Sequence, residues 1–117
     1  MDNIPKRGTL VLALYPFTDL SSAKRRPALV VSATERPDRD CILAFITSRM
    51  DRIDSTDLVL DVSDADFVAT GLSVTSAIRC GKLITLDRSL LTGRLGWLNE
   101  RLMEQVNQRL RKALELS

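Results

Sequence analysis

Two apolar runs flank a short polar stretch in "RPALVVSATERPDRDCILAFITS", residues 26–48. Each run has the length of a strand and is rich in β-branched or aromatic residues, so each predicts a β-strand. The polar stretch between them contains proline and aspartate, which favour turns. In an antiparallel pair, the start of one strand lies beside the end of the other. We therefore expect Arg26 to face Thr47 and Ser48.

The first two thirds of the chain contain further short apolar runs of this kind. In "DLVLDV", Leu58, Leu60 and Val62 alternate with Asp57 and Asp61, which predicts a strand whose aspartate face is in water. Several short strands at this spacing predict a small SH3-like β-barrel that is partly open. The predicted strands, which together span about 9–87, are 9–15, 26–33, 41–48, 57–62, 72–79 and 82–87.

The last part of the chain has a helical period. Leucine or valine recurs at every fourth residue from Leu98 to Leu114, which places these side chains on one face of a helix. Asn99 suits the N-cap, because its side chain accepts a free backbone N–H. The helix is therefore predicted at about 99–115. Trp97, which precedes it, is predicted to lie in the core.

The bulk composition fits one domain with an uneven surface charge. The 117 residues are 44% hydrophobic, so we expect a single domain, 1–117, mainly β with a C-terminal α-helix. Residues 1–30 hold five Lys/Arg against two Asp, residues 51–66 six Asp against one Arg, and residues 79–94 four cations against one Asp. This pattern fits an anionic ligand on one face, although charge alone leaves chance clustering equally open.

Missing residue types exclude several kinds of site. The chain has no histidine, which excludes Ser–His–Asp and Cys–His catalysis. Its glycines form no phosphate-binding loop. Cys41 and Cys80 lie in apolar segments, so we expect buried, reduced thiols, typical of cytoplasmic proteins, and no zinc site. No apolar run has the length of a membrane span, and the N-terminus does not have the pattern of a signal peptide.

The charged residues near the second strand suggest a site for an anion. A guanidinium at Arg26 and a hydroxyl at Thr47 would both donate hydrogen bonds, and the arginine is permanently charged. The loop that precedes this strand brings Asp19, Lys24 and Arg25 towards the same rim. An arginine or threonine at a strand end is more often only structural, so spacing alone leaves this interpretation open.

Four blocks of the chain, taken together, resemble the MazF/PemK family of toxin endoribonucleases in order and spacing. The family fold is an SH3-like barrel that is shared with the CcdB gyrase poisons. The resemblance covers nearly the whole chain. The blocks are "KRGTLVLALYPFTDLSSAKRRPALVVS" at 6–32, "ILAFITSR" at 42–49, "SAIRCGKLITLDRSLL" at 76–91 and "RLGWLNERLMEQVNQRLRKAL" at 94–114.

The resemblance implies cleavage of single-stranded RNA without a metal or another cofactor, leaving a 2′,3′-cyclic phosphate and a 5′-hydroxyl. The family's catalytic arginine precedes the proline of its "RP" block, here Arg26, and its catalytic threonine ends the "IT" strand, here Thr47. RNA supplies its own 2′-hydroxyl nucleophile, so the lack of histidine is no obstacle. Arginine is a poor base, so Asp19 is the candidate carboxylate, in a loop where many members carry a glutamate. The residues that we expect to contact RNA are Phe17, Lys24, Arg25, Ser48, Arg49 and Arg79.

The resemblance also implies partners. It implies a homodimer that is inhibited by a cognate antitoxin protein with an acidic tail. The toxin would contact operator DNA only as part of the complex with this antitoxin. Two alternatives remain open at this point. The barrel could bind RNA or a protein without cutting it, or it could be a gyrase poison. The latter depends on a C-terminal tip with tryptophan, and this chain ends in "RKALELS".

Overall fold

The computed structural model describes residues 5–15, 24–35 and 39–117. In these ranges the regular elements are β1 (Thr9–Tyr15), β2 (Lys24–Val30), β3 (Asp40–Thr47), β4 (Asp57–Leu60), β5 (Ser76–Asp87), β6 (Leu91–Trp97) and the helix α1 (Glu100–Leu114). The strands form one antiparallel sheet in the order β4-β5-β3-β2-β1-β6. No ladder joins β4 to β6 within the described residues, so the barrel is partly open, as predicted.

The sheet packs a hydrophobic core against each of its faces, because successive side chains of a strand point to opposite sides. The helix-side core includes Leu10 of β1, Ile46 of β3 and Val106 of α1. The opposite core includes Val11 of β1 and Leu43 of β3. Buried strands with both faces covered read as continuous apolar runs rather than alternating ones, which is why "TLVLALY" and "CILAFIT" have no polar face.

Strand β5 connects the two cores through a bulge. Phe45 pairs with Arg79, whereas its neighbour Ala44 pairs with Leu83, so three β5 residues at 80–82 have no partner on β3. Because successive side chains of a strand alternate between the two faces, an odd number of extra residues exchanges the core that each later side chain faces. The prediction of two strands at 72–79 and 82–87 is therefore wrong. They are one strand, and the predicted break lies at the bulge.

Strand β6 was not predicted from the sequence. Asp87 caps the turn after β5, where it accepts a hydrogen bond from the Ser89 N–H at 2.8 Å. The chain then forms a further strand that pairs with β1. Glycine is depleted in strands, and β6 contains two, so its strand signal is weak. Trp97 ends β6 with 60% of its surface exposed, so its predicted place in the core is wrong.

Two glycines of this region are required by a close backbone contact. A Cβ on Gly96 would lie 2.1 Å from the carbonyl oxygen of Ala69, and a Cβ on Gly71 would lie 2.1 Å from that of Leu95. Gly71 also has a φ of 75°, a left-handed conformation that favours glycine. The short 3₁₀ turn at Val68–Thr70 therefore lies directly on β6.

The C-terminal helix agrees with the prediction. The side chain of Asn99 accepts a hydrogen bond from the Leu102 N–H at 3.0 Å, which caps the first turn. Leu102 and Val106 are buried against the helix-side core, whereas Leu114 at the far end is 52% exposed. In the described part of the chain, no helix is both long and apolar enough to cross a bilayer.

Two burial predictions for β4 and its end are wrong. Asp57 was expected in water, yet it is buried opposite Arg79, its cross-strand partner. Val62, expected on the apolar face, lies beyond the end of β4 and is exposed. An opposite charge across the strand makes burial of a carboxylate tolerable, and this information is not present in the local sequence.

Cys41 and Cys80 are buried thiols, as expected. Burial raises the pKa of Cys80 to about 11.

Candidate active site

The start of β2 and the end of β3 meet at one rim of the barrel. Ala28 pairs with Phe45 in the antiparallel β2–β3 ladder. The ladder ends at this pair, and its register, continued by two residues towards the rim, would set Arg26 opposite Thr47. Both residues line a cavity of about 320 Å³ and also an adjoining cavity of about 240 Å³. We call the two cavities together the groove.

The larger cavity is strongly basic. Arg26 comes from β2, Arg79 is the paired residue just before the β5 bulge, and Lys82 is the last residue of the bulge. Bulges commonly redirect side chains near functional sites, and this one turns Lys82 into the cavity. No carboxylate of the described residues is among its lining side chains. Three cations around one opening favour an anionic ligand. The remaining lining residues are Phe45, Ile46 and Thr47.

The smaller cavity has a different chemical character. It shares Arg26, Ile46 and Thr47 with the larger one. Apolar and hydroxyl side chains dominate the rest of its wall, which suits a planar ring whose edge carries hydrogen-bonding groups. Its other lining residues are Pro27, Ser48, Arg49, Leu72, Ser73, Val74 and Ser76.

The hydroxyl of Thr47 is oriented by the backbone. The N–H of Arg49 donates to Thr47 Oγ1 at 3.1 Å. A hydroxyl has one O–H donor besides its acceptor lone pairs, so the Thr47 O–H can be donated to an anion in the groove. The Arg49 side chain forms a 3.4 Å ion pair with Asp51. Both side chains are largely exposed, so this pair is weak.

An aromatic stack lies beneath Arg26. Tyr15 and Phe45 stack with ring centroids 3.9 Å apart and an interplanar angle of 18°. Burial raises the pKa of Tyr15 to about 12, and the charge of Arg26 partly opposes this shift. The guanidinium is thus close enough to the phenol to influence its titration.

Arg79 is held from behind by a buried carboxylate. Its Nε lies 3.5 Å from Oδ2 of Asp57, whose side chain is fully buried. Its Nη2 donates to the carbonyl oxygen of Arg52 at 3.2 Å. Asp57 Oδ2 also accepts the N–H of Asp54 at 2.9 Å. Asp57 lines neither cavity.

The structure brings most of the predicted site residues together. Lys24 and Arg25 are exposed on β2 and precede Arg26, but neither is among the groove-lining residues. Asp19 and Phe17 lie outside the described residues. The predicted residues that line the groove are Arg26, Thr47, Ser48, Arg49 and Arg79.

Sequence reasoning missed several contributors, and the three that matter most for the charge and shape of the larger cavity are Lys82, Phe45 and Asp57. The "CGK" break in the apolar pattern marked the position of Lys82, but only the β5 bulge shows where the side chain points. In the ranges that the structure covers, no three Cys, Asp or Glu side chains are grouped so that they could hold a metal ion.

Comparisons with known proteins identify the family of this chain. A family model described as "PemK-like, MazF-like toxin of type II toxin-antitoxin system" matches residues 6–114. An endoribonuclease from a mycobacterial species is 26% identical, with a TM-score of 0.73 over 97% of this chain and 94% of that one. A MazE–MazF structure from Deinococcus radiodurans is 22% identical, with a TM-score of 0.77 over 99% and 100%. Curated protein sequences give no significant match.

A further similar structure contains a partner protein. It is described as an endoribonuclease in complex with its cognate antitoxin from mycobacterial species. Its toxin chain is 24% identical, with a TM-score of 0.73 over 97% of this chain and 98% of that one. The two structures below 25% identity support the fold of this chain.

Proposed function

Because this chain belongs to the PemK-like, MazF-like family of type II toxin–antitoxin toxins, we propose that it is the toxin of such a pair. Its proposed activity is that of an endoribonuclease that cleaves single-stranded mRNA without a ribosome and without a metal. The single observation that carries this proposal is the meeting of Arg26 and Thr47 in a groove whose larger cavity is basic.

The proposed reaction uses a nucleophile that belongs to the substrate. The ribose 2′-oxygen attacks the adjacent phosphorus, its proton goes to a base, and the P–O5′ bond breaks. The 5′-oxygen leaves and takes up a proton, so the products are a 2′,3′-cyclic phosphate and a 5′-hydroxyl. DNA lacks the 2′-hydroxyl and resists this reaction.

The groove residues have separate roles in this proposal. Negative charge grows on the non-bridging phosphate oxygens in the transition state, where Arg26 and the Thr47 O–H donate to them. Arg79 and Lys82 attract neighbouring phosphates of the strand. The smaller cavity receives a nucleobase of the RNA strand. Guanidinium is too weak a base to remove the 2′-proton, so we propose Asp19 for that step.

The proposed partners follow from the charge of the groove. The cognate antitoxin would place an acidic segment over Arg26, Arg79 and Lys82 and thereby exclude RNA, since complementary charge favours such a contact. A homodimer, and contact with operator DNA only through the antitoxin complex, complete the proposal.

The test is cleavage of a mixed-sequence RNA by the purified protein in EDTA, with the new ends mapped. Arg26→Ala and Thr47→Ala should each lower the rate roughly 10²–10³-fold. Arg94→Ala and Thr85→Ala are matched controls, because these exposed residues line neither cavity of the groove, and both should cut at the normal rate. Cutting that survives both groove substitutions would contradict the site. RNA that is bound but left intact would instead favour the non-catalytic barrel.

A further inference from the structure

The least expected feature of the groove is a buried carboxylate behind one of its cations. Asp57 has no exposed side-chain surface, and its Oδ2 lies 3.5 Å from Arg79 Nε. Among the described residues, Asp57 Oδ1 and Arg79 Nε have no hydrogen-bond partner. The contact is thus an ion pair without an aligned hydrogen bond. Burying a charge costs more than such a loose pair returns, so stability is a poor explanation for this aspartate.

The position of Asp57 fits a role in the site. Arg79 is 20% exposed, and it lines the larger cavity together with Arg26 and Lys82. Three cations around one cavity repel each other and would turn outwards into water. A carboxylate beneath Arg79 opposes this repulsion from the protein side. Because Asp57 itself lines neither cavity, its charge does not face an incoming phosphate directly.

Two contacts fix the direction of the guanidinium. Asp57 attracts it on the Nε side through the ion pair, and the carbonyl oxygen of Arg52 accepts a hydrogen bond from Nη2 at 3.2 Å. A guanidinium has five N–H donors in a rigid, planar fork. With the Nε side facing the buried carboxylate and Nη2 hydrogen-bonded to the backbone, the donors of Nη1 suit an anion in the cavity.

We propose that Asp57 is a positioning residue that holds the Arg79 guanidinium towards the larger cavity, where it receives a phosphate of the RNA strand. This inference rests on the proposed function for the identity of the ligand. Asp57 acts through Arg79 and does not itself contact RNA.

The local structure also gives Asp57 a simpler role, which the test must separate. Its Oδ2 accepts the Asp54 N–H at 2.9 Å, and its own N–H donates to the Asp54 carbonyl at 3.1 Å, so it closes a turn. Asp57→Asn keeps an oxygen that can accept the Asp54 N–H, while it removes the charge opposite Arg79. This variant therefore preserves the turn and breaks the proposed function of the carboxylate.

The decisive experiment is a double-mutant cycle on RNA cleavage with Asp57→Asn and Arg79→Ala. Asp57→Asn alone should lower kcat/KM roughly 10- to 100-fold, because a displaced contact group weakens transition-state binding. In the Arg79→Ala background the same change should have an effect within about twofold. An undiminished loss in that background would overturn the inference. Asp66→Asn is the matched control, since it also removes an aspartate paired with an arginine, Arg101, outside the groove, and it should cut at the normal rate.

A second measurement uses the wild-type protein and needs no cleavage. In arginine side-chain NMR, the Nε–H of Arg79 should exchange slowly with solvent, and a short RNA with a 2′-deoxy scissile nucleotide should shift it. Exchange as fast as that of the exposed Arg94 would contradict the positioning role. A slow, RNA-sensitive Nε–H in a protein that does not cut RNA would refute the nuclease proposal alone and leave the role of Asp57 supported.

Discussion

Two clusters of arginine and aspartate differ in burial and in geometry. Arg101 on α1 contacts two acidic residues of the loop after β4, at 2.6 Å to Asp64 and 2.8 Å to Asp66. We call this cluster the helix clamp. Arg79 in the groove contacts the buried Asp57 at 3.5 Å, and two of the atoms lack hydrogen-bond partners within the described residues. The exposed cluster is the better-formed one.

This difference indicates what each cluster is for. In the helix clamp, Arg101 donates three hydrogen bonds through Nε and Nη2 to carboxylate oxygens of Asp64 and Asp66, and these bonds join α1 to the loop. The groove pair leaves hydrogen-bonding capacity unused beside the larger cavity, which Arg79 lines. Hydrogen bonds at active sites are often long before the ligand arrives. An ion pair whose atoms lack hydrogen-bond partners therefore points to a function. An ion pair whose atoms are hydrogen-bonded points to a role in folding.

The largest predicted difference is in the rate of RNA cleavage when the arginine of each cluster is replaced separately. Arg79→Ala should lower RNA cleavage about 10²-fold, because it removes a donor to the strand's phosphates. Arg101→Ala should change cleavage by less than about twofold, because the helix clamp is outside the groove. Initial rates on one RNA substrate, with folding checked by circular dichroism, measure both. Equal losses in the two variants would contradict the division of roles.

The second prediction concerns stability at the contact between β6 and the turn at Val68–Thr70. Gly96→Ala places a Cβ where only 2.1 Å separates it from a backbone carbonyl oxygen. The turn at Val68–Thr70 must then move off β6, which should lower the free energy of unfolding by about 2 kcal/mol. Gly93→Ala is the matched control on the same strand, because its nearest contact would be an ordinary 3.9 Å. Urea denaturation of both variants measures the difference. Equal destabilisation would show that the close contact is unimportant.

The parts of the fold that sequence predicts are those encoded by a local pattern. The apolar runs of β1 and β3 and the four-residue repeat of α1 each report the environment of their own segment. The beginning of β2 could be placed beside the end of β3 because antiparallel pairing is the only assumption needed. This is enough to bring Arg26 and Thr47 to one rim.

The parts that were missed depend on distant residues. Burial of Asp57 becomes acceptable only because the β4–β5 register sets Arg79 opposite it. The direction of Lys82 depends on a bulge that is defined by the pairing of β3 with β5. Gly96 of strand β6 is required by a contact with a turn that lies over twenty residues away in sequence. None of these partners can be inferred from the segment itself.

The third prediction tests how near Arg26 lies to the aromatic stack. Tyr15 is the only tyrosine, so the absorbance of tyrosinate reports it alone. It should titrate at about 12, above the ordinary value of about 10. Arg26→Ala should raise the pKa further, because the cation favours the ionised phenol. Since the folded state holds this proton more tightly than the unfolded state, stability should fall as the pH rises from about 10 to about 12. A lowered pKa in the variant would place Arg26 away from the stack.

The smallest effect is expected in the helix clamp, from acid. The hydrogen bonds of Asp64, led by the Asp66 N–H and then by Arg101, lower its pKa, and the bonds of Asp66, led by Arg101, lower that of Asp66. A carboxyl with a depressed folded pKa contributes stability above its unfolded pKa of about 3.9, and this contribution is lost as the pH falls through the folded value. Arg101→Ala should therefore have a lower Tm than the wild type at neutral pH. When the pH falls below about 4, the Tm of the variant should decrease by less than that of the wild type. Thermal unfolding across this range measures it. Because all three side chains are partly exposed, added salt should reduce the difference in Tm between the variant and the wild type. If Arg101→Ala and the wild type lost the same Tm in acid, the helix clamp would not stabilise α1 in solution.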